Sequence, residues 1–478
     1  MAGVTGIGSG IDINSIVKSM VAAERAPKES QLANLEKKTT TQITAIGALK
    51  SAISDFQAAL GALNKSELFQ ARSAMSSKSD FVSVSASTKA GAGSYQVEVK
   101  ELATSSKVAL AAVSNTAEAA ARFGSGLLEI KLGREGSFDV TVDESNNTLA
   151  GIRDAINKQG TNKGITATIV TDDEGARLVL SSSKTGADKD ITVVPKPTGG
   201  GEGEHEESLN VLRFDGEVDE DDPKGARILA RAQSAVITVD GLTITSEANK
   251  VEGAIEGVTL DLKSKTADKE PLTINVAEDK AVVKKQIQSF VDSYNKLMGV
   301  INAQTRVTGV GDGKTPVTGA LVGDATARTL LGAVRGELTN VQGGGALRAM
   351  ADLGITTQKD GTLKIDDAKL SKVMNSNFTE LPALFTGEKG LATRLDEKLK
   401  PYTQTGGILE QRNKVMTETI SKIDKQKVDL DRRITSLQDR LYKQFNAMDA
   451  LVGKMASTSS SLLASLENLP WAANNSKK

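Results

Sequence analysis

Apolar residues recur at alternating spacings of three and four along two stretches near the ends of the chain. The first runs through Leu32, Leu35, Thr39, Gln42, Ile46, Leu49, Ile53, Phe56, Leu60 and Leu63. All but Thr39 and Gln42 are apolar, so the stretch reads as a heptad seam. Pro27 stands just ahead and suits a first helical turn, which predicts a rod from Lys28 to Asn64, about 55 Å long. Upstream, the glycines between Gly6 and Gly10 read as a lead into a short separate helix capped by Asp12 or Asn14. The second seam follows Met416, Ile420, Ile423, Lys427, Leu430, Ile434, Leu437, Leu441, Gln444, Met448, Leu451, Met455, Thr458, Leu462, Ser465 and Leu469, with no proline before Pro470. So long an uninterrupted period favours a coiled coil over a helix in an ordinary bundle, which stands as the other reading. The Ser457–Ser461 stretch is soft enough that the last turns are expected to order only on assembly.

Between the rods the period falls to two. From about Phe81 to Val276 come short alternating runs, among them SYQVEVKEL, LEIKL, FDVTV, ARLVLSS, SAVITVDGLTITS and LTINV, each bounded by turn residues. This pattern predicts mainly antiparallel sheet. One helix interrupts it: Thr148 caps LAGIRDAINKQG, whose Leu149, Ile152 and Ile156 share a face. The glycine-rich tract at 199–208 and the acidic run Asp219–Asp222 read as flexible loops. Helical spacing returns at Val283, Ile287, Phe290, Tyr294, Leu297 and Ile301. A helix capped by Asp324 then carries Leu330, Val334, Leu338 and Val341. A hairpin with a type I′ Asp360–Gly361 turn leads into a last helix through Leu370 and Val373. The expected fold is therefore α+β and multidomain: terminal coiled-coil helices and a helical bundle domain, with mainly antiparallel β domains inserted. The predicted borders are 1–65 for an N-terminal coiled-coil leg paired with 408–478, 66–80 with 278–407 for the helical domain, 81–107 with 232–277 for a β domain, and 108–231 for an outer β-rich insertion.

Composition narrows the chemistry. The chain has 478 residues, with 59 Lys+Arg against 60 Asp+Glu, so it offers no broad electrostatic footprint for nucleic acid or an anionic membrane. With no cysteine, thiol chemistry and Cys-ligated metals are excluded, and the single histidine, His205, leaves no His-triad metal centre. No run is long and apolar enough for a membrane helix, and the first residues lack the basic and apolar regions of a Sec signal. TGVGDGKTP imitates the end of a phosphate loop at Gly313, Lys314 and Thr315, but its first glycine would fall on Thr308, so a flexible inter-helix loop is the better reading. Asp360, Gly361 and Asp367 match late places of a calcium loop, whereas Thr356 and Gln358 stand where acidic ligands belong. No catalytic, cofactor or metal residues are assigned, and aromatic residues at 3% suit a scaffold better than an enzyme.

Five segments in order carry a resemblance: GIGSGIDINSIVKSMVAAERAP (Gly6 to Pro27), the strand-rich block from Thr148 to Gly186, SFVDSYNKLMGVI (Ser289 to Ile301), ALVGDATARTLL (Ala320 to Leu331) and LGITTQKDGTLKIDDAKL (Leu353 to Leu370). The set resembles the bacterial flagellar filament cap proteins, the hook-associated protein 2 family, and the second block resembles a repeat of flagellins and hook-associated proteins. The resemblance implies a structural homo-pentamer or homo-hexamer at the filament tip that guides exported flagellin into the lattice and so serves motility. It also implies export by the flagellar type III apparatus with its chaperone, and an extracellular location. The candidate assembly seam is Leu35, Ile46, Leu49, Ile53, Phe56 and Leu60 with Leu430, Ile434, Leu437, Leu441, Met448 and Leu451. From another class, a surface adhesin would bind host mucin or glycans through the β-rich head. Another axial flagellar component fits the texture but not the motif set.

Overall fold

The structure is a computed structural model and describes residues 10–116, 119–199, 206–311, 315–341 and 345–467. His205, Gly313, Lys314, Leu469 and Pro470 lie outside the described residues, as does most of the glycine-rich tract. The architecture is α+β, with long terminal helices and, between them in chain order, mainly antiparallel sheets. In chain order the helices are α1 (Ile13–Leu63), α2 (Ser66–Phe69), α3 (Leu149–Gly160), α4 (Lys280–Thr305), α5 (Ala325–Thr339), α6 (Asp367–Ser376), α7 (Leu381–Phe385), α8 (Leu391–Thr403) and α9 (Ile408–Glu467). The chain divides into a helical unit, Met1–Leu68 with Lys280–Lys478, and a sheet unit, Phe69–Asp279.

In the helical unit, α1 begins where the Asp12 side chain accepts from the Ser15 N–H and runs unbroken to Leu63. The short leading helix and the rod are thus one helix, with Pro27 inside it rather than in its first turn. Pro27 is exposed, so water can reach the carbonyl whose helical donor the proline removes. The Ser457–Ser461 stretch is likewise part of an unbroken α9 that reaches Glu467 within a single chain. The six apolar positions expected on α4 are all buried. Phe290 and Tyr294 of α4 meet Phe56 of α1 with ring centroids 5.6 and 5.8 Å apart, and Phe385 joins from α7. Asp324 caps α5 by accepting from the Ala327 N–H. Val341, expected on that helix, lies past its last turn and is exposed.

The 355–365 hairpin differs from the expected type I′ turn. Only Gly361 of the Asp360–Gly361 pair has positive φ (+85°), and the Gln358 N–H donates to the Thr362 carbonyl, giving a three-residue loop closed by a left-handed glycine. The hairpin is tied to α4 by Tyr294 Oη donating to the Gly361 carbonyl (2.9 Å) and by Asn295, which bonds both the N–H and the C=O of Leu363. These bonds join two of the resemblance segments physically. The expected flexible loop after α4 contains a small hairpin, Val307–Thr308 against Val317–Thr318.

The sheet unit has two cores. One lies between a five-stranded sheet, ordered Arg72–Ser76, Leu272–Glu278, Gly93–Glu101, Ala235–Val239 and Leu242–Ser246, and a three-stranded sheet of Lys250–Ile255, Val258–Leu262 and Val82–Ala86. Every neighbouring pair in these sheets is antiparallel. A type I′ turn does occur here, at Asp240–Gly241, where φ is 49° and 86°. Residues 72–76, expected in the helical domain, instead form the edge strand of this sheet, because Arg72 to Ser76 pair in register with Glu278 to Ile274. The second core gathers Phe123, Leu128, Ile130, Leu178 and Ile191 with Leu149, Ile152 and Ile156 of α3, whose cap is Thr148 as expected. The backbone just after the acidic run, residues 223–225, is held in place. Arg177, only 4% exposed, donates to the carbonyls of Leu110, Pro223, Lys224 and Gly225 while pairing with Asp172. Its buried charge is thereby satisfied, and the acidic run is anchored at its base.

Candidate assembly surface

The terminal helices pair antiparallel. Arg433 meets Glu24 at 3.0 Å, Asp431 meets Arg25 at 2.8 Å, Lys427 meets Glu36 at 2.6 Å and Glu410 meets Lys50 at 3.6 Å, so advancing along α1 means retreating along α9. These pairs are largely exposed and screened by water, which makes them markers of register more than sources of stability. Arg25 lies between Glu29 and Asp431, and its hydrogen bond to Glu29 raises its pKa above the usual guanidinium value. At the far end, Leu441 packs with Ile13 and Val17, with Leu437, Val21, Tyr442 and Phe445 around them.

The candidate seam residues divide into three sets. Ile46, Leu49, Ile53, Phe56 and Leu60 are buried on α1, whose last turns pack with α4 and α8. There Gln57 bonds Asp396 and Thr403 of α8, and Lys296 of α4 pairs with Asp55. Ile434 and Leu441 are buried in the α1–α9 pair, and Leu430 and Leu437 are half-buried. Leu49 and Ile53 therefore do not meet Leu437 and Leu441, which lie toward the opposite end of α1. Leu430 and Ile434 line a groove of about 310 Å³ whose α1 wall is Glu24 and Lys28. The third set faces water: Leu35 is 43% exposed, Met448 46% and Leu451 58%.

Register explains the exposed end. α1 starts at Ile13, opposite the 441–445 turn of α9, yet α9 continues to Glu467. Residues 448–467 therefore extend past the described start of α1 by about 30 Å of helix. Along that length Met448, Leu451, Val452, Met455, Leu462, Leu463 and Leu466 are exposed. Their spacing continues the stripe that Leu437 and Leu441 begin, so one apolar face is covered at its root and bare at its tip. The opposite end of α9 is fixed by Arg412, whose guanidinium forks onto both Asp324 oxygens at 2.9 and 2.6 Å and donates to Thr326. This fork holds the Asp324 carboxyl below the usual carboxylate range and ties the first turns of α9 to the cap of α5. The continuity of the stripe was visible in the spacing alone, but the Arg412–Asp324 tie was not.

Among the described residues no cluster of three or more acidic or histidine side chains is placed to hold a metal, and no helix is long and apolar enough to cross a membrane. Residues 9–106 match the family model for the flagellar hook-associated protein 2 N-terminus, 232–457 that for its C-terminus, and 128–184 the flagellin hook IN motif. The chain is 46% identical to the B-type flagellar hook-associated protein 2 of Pseudomonas aeruginosa over 99% of both chains. It is 31% identical to the flagellar hook-associated protein 2 of Aeromonas caviae over 96% of this chain and 97% of that one. The crystal structure of the D1-D2-D3 domains of the Escherichia coli flagellar cap protein FliD aligns with a TM-score of 0.60 at 26% identity, covering 78% of this chain and 99% of that one. These matches span both terminal helices and the inserted sheets, and the chain belongs to the flagellar hook-associated protein 2 family, a family of structural proteins rather than enzymes.

Proposed function

We propose that this chain caps the flagellar filament. It acts as a homo-pentamer or homo-hexamer at the growing tip, receiving flagellin subunits exported through the flagellar type III apparatus and guiding them into the lattice. The observation that carries this reading is the bare apolar face of α9 from Met448 to Leu466. Exposed apolar area is unfavourable by about 25 cal/mol per Å², so such a face is driven to find helical partners. Neighbouring copies and filament subunits offering similar seams supply them, and exchange of one for another lets the cap step without nucleotide or covalent chemistry. Leu430, Ile434, Leu437 and Leu441 support the face from its root, while Met448 and Leu451 contact partners directly. Before export the chain is held by a type III export chaperone.

The test is the fate of flagellin in a strain lacking the gene. Cells without the chain are expected to shed monomeric flagellin into the medium and to swim only when the chain is restored. Filaments of normal length in its absence would overturn the assignment.

A further inference from the structure

The outer edge of the four-stranded sheet carries a pair of side-chain bonds. Its order is Ile165–Asp172, Gly175–Thr185, Ser105–Ala109 and Arg227–Ala230, which leaves Ile165–Asp172 with a partner on one side only. On the other side the Asn157 carboxamide of α3 accepts from the Ala167 N–H at 2.7 Å and donates to the Ala167 C=O at 2.9 Å. These are the two bonds that a neighbouring strand would make to that residue. One place along, Gly160 approaches the Ile165 carbonyl so closely that a Cβ there would lie 2.9 Å from it. Among the described residues nothing else pairs with this edge, and by strand alternation Ile169 and Thr171 keep their polar groups open.

We propose that Asn157 guards this edge, standing in for a strand, and that without it Ile165–Asp172 pairs antiparallel with the same strand of a second copy. The occupant follows from the strand itself. About a two-fold axis at Thr168, Thr166 would stand opposite Val170 and Thr168 opposite Thr168. These are β-branched pairs with no charge to oppose them, and all three residues are exposed. The edge lies in the sheet unit and does not depend on the cap reading. For a chain that presents an apolar helix face, a second sticky surface would compete with ordered assembly.

The test uses the full chain with Asn157→Ala, which removes both bonds without adding apolar surface. Amide exchange at Ala167, read at a concentration dilute enough to keep the chain monomeric, is expected to rise about tenfold or more, since losing a bond pair of this kind exposes the N–H to solvent. Light scattering should show concentration-dependent association beyond wild type. Adding Val170→Lys, a charge on the outward face of the strand, should return the mass to the wild-type value with the fast exchange retained. Fast exchange with wild-type mass would overturn the proposal. So would association that Val170→Lys leaves unchanged, which would mean general unfolding, checked by circular dichroism.

Discussion

Asp324 shows how one side chain can hold two elements. It caps α5, and its two oxygens receive the Arg412 fork from the first turns of α9. Its cap was legible because an acidic residue ahead of an apolar-periodic run has one common use. Its second partner lies 88 residues away and leaves no local trace. Asparagine is the extreme case. Asn157, Asn249 and Asn295 each bond both polar backbone groups of a single residue, Ala167, Ala103 and Leu363, which lie 10, 146 and 68 positions away, and nothing in their sequence neighbourhoods marks them. The Asp324 pair gives a prediction with a defined sign. Asp324→Asn keeps a cap but loses the fork, and should destabilise the helical unit by about 1–2 kcal/mol in urea melts, the modest end because Arg412 is about a third exposed. Because the folded carboxyl is held below its unfolded value, the contribution is complete above the unfolded carboxylate range. It is lost as pH falls through the folded value. The wild-type and variant melts should therefore differ by a constant amount near neutrality and converge on acidification; a gap that persisted in acid would assign the effect to packing.

At the scale of elements, the heptad spacing located both long helices and misassigned part of their packing. A three–four alternation specifies one apolar face and says nothing about what covers it. Along α1 the same stripe is covered by α9 from Ile13 to about Lys50 and by α4 and α8 around Phe56, so a single period spans a helix pair and a bundle. Pro27 misled for a related reason: a proline on the wet side of a long helix costs one internal bond, which does not have to end the helix. The two halves of α1 should respond differently to truncation. Phe56→Ala, in the aromatic cluster with Phe290 and Tyr294, should cost about 3–5 kcal/mol and lower the midpoint of the whole helical unit. Leu441→Ala should leave that midpoint nearly unchanged and speed amide exchange only near residues 13–21 and 437–445. Equal global losses from both would contradict this division.

For the whole molecule, the nesting of sheets within helices was readable because the hydrophobic period changes from about 3.6 to two and back. The outer border of the sheet unit was not, since Arg72–Ser76 is five residues long and takes its strand character from pairing with Leu272–Glu278. Three of the five resemblance segments make contacts that only the fold reveals. The Ser289–Ile301 helix grips the Leu353–Leu370 hairpin, and Asp324 of the Ala320–Leu331 segment anchors α9. The Asp324–Arg412 tie fixes the base of a helix whose tip is left bare. The most direct test is filament length on cells whose only copy of the chain carries Leu451→Glu and Met455→Glu. Both residues are exposed, so the fold and export should be unaffected. We predict that the variant is recovered outside the cell in normal amount while filaments are absent and flagellin is shed. Filaments of wild-type length on those cells would contradict the assignment of the bare face of α9 to assembly.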